Sequence, residues 1–193
     1  YGYCFSKRKV LLSNRSHRNN MASRKINIKN ISLEQLGSLF EELGLTRYRS
    51  RQVFDWLYHK FAVSFEDMTN IAKRDRELLA SAFAIPEIRL LGTERSRDGT
   101  RKFLFGLEDG HRVESVLIPD EDRLTLCISS QVGCRQGCRF CLTGKGGFSR
   151  DLRSFEIVDQ VIAVSRVVRD EGAGRITNIV LMGMGEPLAN FDE

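Results

Sequence analysis

Apolar positions follow helical spacing along the first half of the chain and strand spacing from about residue 86 onward. In SLEQLGSLFEELG, Leu33, Leu36, Leu39, Phe40 and Leu43 share one helical face, Ser32 and Gln35 occupy capping-box positions, and Gly44 supplies a stop. SRQVFDWLYHKF continues with Val53, Phe54, Trp56, Leu57 and Phe61 on a broad helical face, and DMTNIAKRDRELLASAF predicts one or two more helices before Pro86. The period then drops to two. IRLLGTE, TRKFLFGLE and HRVESVLIP are short alternating runs joined at Asp98-Gly99 and Asp109-Gly110, pairs that favour hairpin turns, so a small antiparallel sheet is predicted.

After Pro119 the chain reads strand (RLTLCISS), glycine-rich loop, amphipathic helix opened by Ser154 (SFEIVDQVIAVSRVVRDEG), and a buried strand ending in a glycine-rich turn (ITNIVLMGMGEP). That succession is a βα unit feeding a parallel sheet, whose chemistry gathers at the carboxyl ends of the strands. The predicted organisation is therefore α+β followed by α/β. It comprises a helical domain over 21–87, an antiparallel β linker over 88–119 and a core over 120–193. Residues 1–20 precede Met21, which reads like a start site, and are expected to be an upstream or disordered extension in which Cys4 is an exposed free thiol. The chain stops directly after the last glycine-rich turn, so it is expected to be a fragment.

Composition narrows the class. No run approaches the roughly 20 apolar residues of a membrane helix, and no leader resembles a secretion signal, so a cytoplasmic protein with no membrane partner is expected. The net charge of +5 admits a polyanionic partner without requiring one. Arg47, Arg49, Arg51 and Lys60 read as a solvated basic face over an apolar core, and His17, His59 and His111 form no ligand pattern. Five cysteines is an odd count, and Cys134, Cys138 and Cys141 crowd into eight residues, which suits metal binding in a reducing compartment better than disulfides.

Structural zinc commonly takes four ligands in two close pairs. GCRQGCRFCLTGKGGF has three cysteines at CxxxCxxC and no histidine. An incomplete thiolate set suits a cubane iron-sulfur cluster, because three irons are held by protein and the fourth is left open for a substrate. Zinc with Cys127 as a fourth ligand is the structural alternative.

CxxxCxxC with Phe140 before the last cysteine, at the end of a first βα strand, resembles the signature of radical S-adenosylmethionine enzymes. LTLCISSQVGCRQGCRFC, TGKGGFSRDL and ITNIVLMGMGEPLANFD are similar to the branch that methylates C2 of adenine in 23S ribosomal RNA and tRNA; YRSRQVFDWLYHK and MTNIAK extend the likeness into the helical domain. The resemblance implies a partial (βα) radical SAM barrel and a 4Fe-4S cluster on Cys134, Cys138 and Cys141. It also implies S-adenosyl-L-methionine as methyl donor and radical source, an electron donor such as flavodoxin or ferredoxin, and a monomeric protein. Radical chemistry suits the substrate, since C2 of adenine is a poor nucleophile, and the cofactor carries the hard step while the protein orients it.

The same resemblance assigns individual residues. By pattern alone Cys127 is a small buried hydrophobe and Glu114 the polar side of an alternating strand. By resemblance Cys127 resolves an enzyme–RNA adduct through a transient disulfide with a methyl-carrying cysteine that this sequence lacks, and Glu114 is the proton acceptor at C2. Gly185 and Glu186 of GMGEP are implied to meet the amino group of S-adenosylmethionine, glycine by letting the backbone approach and glutamate by its charge. Lys145 and Arg150 are candidates for RNA phosphate contact or for a merely solvated basic loop. Two other readings stay open: a related radical enzyme such as an adenine-C8 methyltransferase, and a non-catalytic, zinc-stabilised RNA-binding module.

Overall fold

The computed structural model describes residues 25–193, so the extension expected over 1–20, with Cys4 and His17, lies outside the described residues. The chain opens with a short strand β1 (Ile26–Asn27), a 3-10 turn (Ile28–Asn30) and three helices: α1 (Leu33–Glu42), α2 (Tyr48–Tyr58) and α3 (Lys73–Ala82). The α1 capping box forms as predicted: Gln35 N–H donates to Ser32 Oγ (3.3 Å) and Ser32 N–H to Gln35 Oε1 (3.0 Å). Helix α2 stops short of Phe61, which sits at φ 58°. Only one helix forms in the third stretch. Its first residues make a turn instead, because Asp67 Oδ2 accepts the N–H groups of Val63 (3.0 Å) and Ser64 (2.9 Å) and offers the backbone an alternative to helix. Strand β2 (Phe83–Ala84) pairs parallel with β1. Phe40, Leu57, Met68, Leu79 and Phe83 fill the centre of this helical unit.

A five-stranded sheet follows, in the order β3 (Arg89–Arg95), β4 (Arg101–Gly106), β5 (Arg112–Asp120), β6 (Arg123–Cys127) and β9 (Asn178–Val180). The β3–β4 and β4–β5 turns carry Gly99 and Gly110 at φ 87° and 86°, a region open to glycine, which is why the two Asp-Gly pairs work as hairpin signals. Strands β3 to β6 are antiparallel neighbours, whereas β6 and β9 are parallel. One sheet therefore runs without interruption across residue 120, where the sequence suggested a division between linker and core.

Between β6 and β9 lies a small hairpin, β7 (Gln131–Gly133) and β8 (Phe148–Asp151), which frames the cysteine loop and a one-turn helix α4 (Leu142–Lys145). Helix α5 (Ser154–Asp170) then crosses back over the sheet. Its cap differs from the expected one. Arg153 is the N-cap, and its N–H donates to Glu156 Oε2 (2.9 Å), while Ser154 is already helical.

Alternation divides the sheet into two faces. Phe103, Phe105, Val113, Leu117 and Leu126 are buried in one cluster with Val164 and Val168 of α5. Lys102, Leu104, Arg112, Glu114, Val116, Thr125 and Cys127 alternate with them and occupy the face away from α5. Strand β9 is not the buried strand that ITNIVLM suggested: Ile179 is 51% exposed and Met182 80%, because β9 is the edge of the sheet among the described residues.

The helical unit is fastened to α5 by a buried ion pair. Lys29 Nζ lies 2.7 Å from Asp159 Oδ1, both side chains almost wholly excluded from solvent, and Ile88 N–H donates to Asp159 Oδ2 at 3.3 Å.

Candidate functional site

The cysteine loop and the GMGEP turn leave the carboxyl ends of the parallel strands β6 and β9 and are sewn together there. Gly183 N–H donates to Ile128 O (3.0 Å), the N–H groups of Ser130 and Gln131 both donate to Met184 O (2.8 and 3.1 Å), and Met184 N–H donates to Ser129 Oγ (2.9 Å). Gly185 has φ 107°, and a Cβ there would lie 2.6 Å from the Gln131 nitrogen. Only glycine fits that approach.

Beneath the turn lies a polar layer that pattern reading missed. Ser129, Ser130, Gln131 and Gln160 are buried, and Gln160 holds the layer to α5: its Oε1 accepts from Ser129 N–H (2.9 Å) and Ser115 Oγ (2.8 Å), and its Nε2 donates to Ser129 O (2.9 Å). Ser129, Ser130 and Gln131 lie at strand ends, where periodicity carries no signal, and Gln160 is a polar residue on the buried face of α5. The serine-rich SSQ following a strand was the available hint.

Cys134, Cys138 and Cys141 are free thiols on a loop closed by Cys134 N–H to Gly147 O (3.0 Å) and Cys141 N–H to Cys138 O (3.1 Å). Cys138 is exposed and the other two are half-buried. Cys141 precedes α4, and the backbone N–H of Gly144, aided by Thr143, holds its thiol below the usual range, which favours the ligating thiolate. Gly144 is also packed tightly, since a Cβ would meet Cys138 N at 2.9 Å.

Among the described residues no three His, Cys, Asp or Glu side chains converge closely enough to share one metal ion. Structural zinc commonly takes four ligands, and this loop supplies three thiols. The donor set fits a cluster better: three thiols on a glycine-rich loop, each free to take a different iron.

Glu114 and Cys127, thirteen positions apart in sequence, come together on the open face of the sheet. Cys127 is in register with Val116 on β5, which makes Glu114 its diagonal neighbour. Glu114 lines a cleft of about 300 Å³ with Leu104, Arg112, Leu142, Thr143 and Met184, so it faces both the cysteine loop and the glycine turn. Its surroundings are polar: the side chain is 43% exposed and Oε1 lies 3.4 Å from Lys102 Nζ. Cys127 is half-buried, and desolvation pushes its thiol up, partly offset by the Met182 N–H.

Glu186 ends the turn, with one oxygen accepting Leu188 N–H (3.1 Å). Arg150 is not a free phosphate contact. It is held bidentate by the buried Glu156 carboxylate (2.7 and 2.8 Å) and by Asp109 (2.5 Å), so Glu156 at the start of α5 has a paired cation in place of water. Lys145 is exposed on α4.

A helical unit joined to a sheet with a three-cysteine loop and a glycine turn at its carboxyl ends is similar to the architecture of solved radical SAM methyltransferases. A solved structure of a radical SAM methyltransferase from Sphaerobacter thermophilus superposes with a TM-score of 0.79 at 40% identity, covering 86% of this chain and 49% of that one.

The likeness narrows to the dual-specificity RNA methyltransferase family. The chain is 50% identical over 165 residues to dual-specificity RNA methyltransferase RlmN of Desulfosudis oleivorans, matching 86% of this chain and 44% of that protein. It is 53% identical over 167 residues to the namesake from Geobacter sulfurreducens, of which it covers 45%. Residues 26–85 match the family described as the ribosomal RNA large subunit methyltransferase N-terminal domain. The chain spans about half the length of the curated relatives it matches.

Proposed function

We propose that the chain serves in a radical S-adenosylmethionine methyltransferase that methylates C2 of adenine in 23S ribosomal RNA and tRNA. The observation that carries this reading is convergence: Glu114 and Cys127 share the open sheet face, and Glu114 lines a cleft with Leu142 and Thr143 of the cysteine loop and Met184 of the glycine turn. The relatives' printed names, dual-specificity RNA methyltransferases, supply the substrate class.

Cys134, Cys138 and Cys141 would hold a 4Fe-4S cluster, which supplies the electron for cleaving S-adenosylmethionine. The residues of this chain do the remainder. Gly185 opens the turn to close approach, and Glu186 offers a carboxylate to an ammonium. Glu114, at the cleft, accepts the proton from C2, with Lys102 beside it to hold the carboxylate in place. Cys127 is the thiol that resolves the protein–RNA adduct by forming a disulfide with a second cysteine outside this sequence. A reducing cytoplasm, a monomeric protein and a flavodoxin- or ferredoxin-like electron donor complete the reading.

Anaerobic reconstitution of the complete gene product with iron and sulfide, followed by reaction with 23S RNA, S-adenosylmethionine and a reductant, tests it. Brown protein with about four irons per chain, and 2-methyladenosine in the digested RNA, is the expected result. Methylation at C8 would move the enzyme to the neighbouring branch, and colourless protein holding one zinc would overturn the radical reading.

A further inference from the structure

Gln131 is wholly buried, yet its side chain makes polar contacts in three directions. Its Oε1 accepts the N–H of Glu186 (3.1 Å) and the N–H of Arg135 (3.4 Å), and its Nε2 donates to Asp151 Oδ1 (2.7 Å). Asp151 in turn accepts from the Arg135 guanidinium at 3.0 Å. One amide therefore touches the glycine turn through Glu186, the cysteine loop through the residue after Cys134, and the β8 strand that closes the loop. Its backbone is involved as well, since Gln131 N–H donates to Met184 O and its nitrogen is the atom that a Cβ on residue 185 would strike.

We propose that Gln131 is a positioning residue that sets the Gly185–Glu186 turn against the cysteine loop and so couples the two halves of the S-adenosylmethionine site. The inference rests on the function proposed above. Its physical basis is that the other bonds of the turn fix Gly183, Met184 and Asn190, whereas the backbone of Glu186 itself is held through the Gln131 side chain. Glu186 N–H has Gln131 Oε1 as its acceptor. An apolar side chain at 131 would leave that N–H and the Arg135 N–H without their buried partner, and the turn would drift from the loop. Gln131 touches neither thiol nor turn carboxylate, so it acts through the backbone it holds.

The complete gene product, reconstituted anaerobically, is the material for the test, with S-adenosylmethionine as the probe. Three readouts separate the roles: iron per chain, Kd for S-adenosylmethionine by equilibrium dialysis, and the change that the ligand causes in the electron paramagnetic resonance spectrum of the reduced cluster. Gln131→Met is expected to keep its iron and its far-ultraviolet circular dichroism while the Kd rises by about tenfold or more, the loss expected when a buried hydrogen-bond partner is removed. The ligand-induced spectral change should shrink in parallel.

The paired exchange Gln131→Glu with Asp151→Asn reverses donor and acceptor between the two side chains and leaves an acceptor facing Glu186 N–H. It should restore the Kd to within about threefold of wild type, because the hydrogen bonds are remade. If Gln131→Met does not fold, the exchange variant alone decides: restored affinity supports the coupling, and weak affinity with iron and fold intact overturns it. An unchanged Kd in Gln131→Met also overturns it. Wild-type protein that takes up neither iron nor S-adenosylmethionine refutes the proposed function instead.

Discussion

Replacing Lys29 with methionine should cost the fold about 3–5 kcal/mol at neutral pH, because it strands the Asp159 carboxylate without its counter-ion inside the protein. The Lys29 and Asp159 side chains are 2% and 3% exposed and 2.7 Å apart, so neither charge has water to fall back on. Burial already lifts the Asp159 carboxyl above its ordinary range in spite of Lys29. Removing the lysine lifts it further, so the folded variant holds a proton that the unfolded chain releases. A raised folded-state pKa contributes stability that is present below the unfolded value and lost as pH rises through the folded one. The deficit should therefore be largest at neutral pH and shrink as the pH falls toward the ordinary carboxylate range. Adding Asp159→Leu should recover about half of the loss, leaving about 1–3 kcal/mol for the Ile88 N–H, which then has no acceptor. Urea denaturation followed by the fluorescence of Trp56, the single tryptophan, measures all three proteins. A loss below about 1 kcal/mol, the range of an exposed pair, or a double variant no better than the single one, would refute the reasoning.

Arg150→Ala should destabilise by about 3–5 kcal/mol because it leaves Glu156 buried and unpaired, whereas Lys145→Ala should stay within about 0.5 kcal/mol of wild type in the same urea assay. Gly185→Ala should weaken S-adenosylmethionine binding in equilibrium dialysis and cost about 1–3 kcal/mol in the urea midpoint, since φ 107° and a 2.6 Å approach to the Gln131 nitrogen admit no Cβ. In the cluster-free chain, iodoacetamide at neutral pH should label Cys141 before Cys127, and Cys127 labelling should climb as pH rises through its raised pKa; mass spectrometry of the digested protein reads both, and equal rates would contradict the environments described.

Local rules made much of this molecule readable. The Ser32–Gln35 cap and the two Asp-Gly turns each depend on residues a few positions apart, and each appears as predicted. Features that depend on partners far away in sequence did not show. Lys29 and Asp159 are 130 positions apart, and nothing in IKN or VDQ marks either as buried. Arg150 looked available for phosphate because its partners Asp109 and Glu156 meet only once the β4–β5 turn and the start of α5 are folded together. The β7–β8 hairpin is three and four residues long, too short for alternation to register, and its buried Gln131 reads as loop. Apolar ITNIVLM suggested a strand covered on both sides, but hydrophobicity does not say which neighbour does the covering.

The central claim is that one sheet face carries a resolving thiol and a base for the same RNA adduct, separate from the residues that hold iron. Denaturing gel electrophoresis of the reconstituted complete gene product after reaction with substrate RNA tests it most directly. Cys127→Ala should keep its iron and accumulate a slowly migrating covalent protein–RNA band, Glu114→Ala should accumulate the same band, and Cys134→Ala should lose iron and give none. Iron loss in Cys127→Ala, or normal turnover with no band in both Cys127→Ala and Glu114→Ala, would contradict the account.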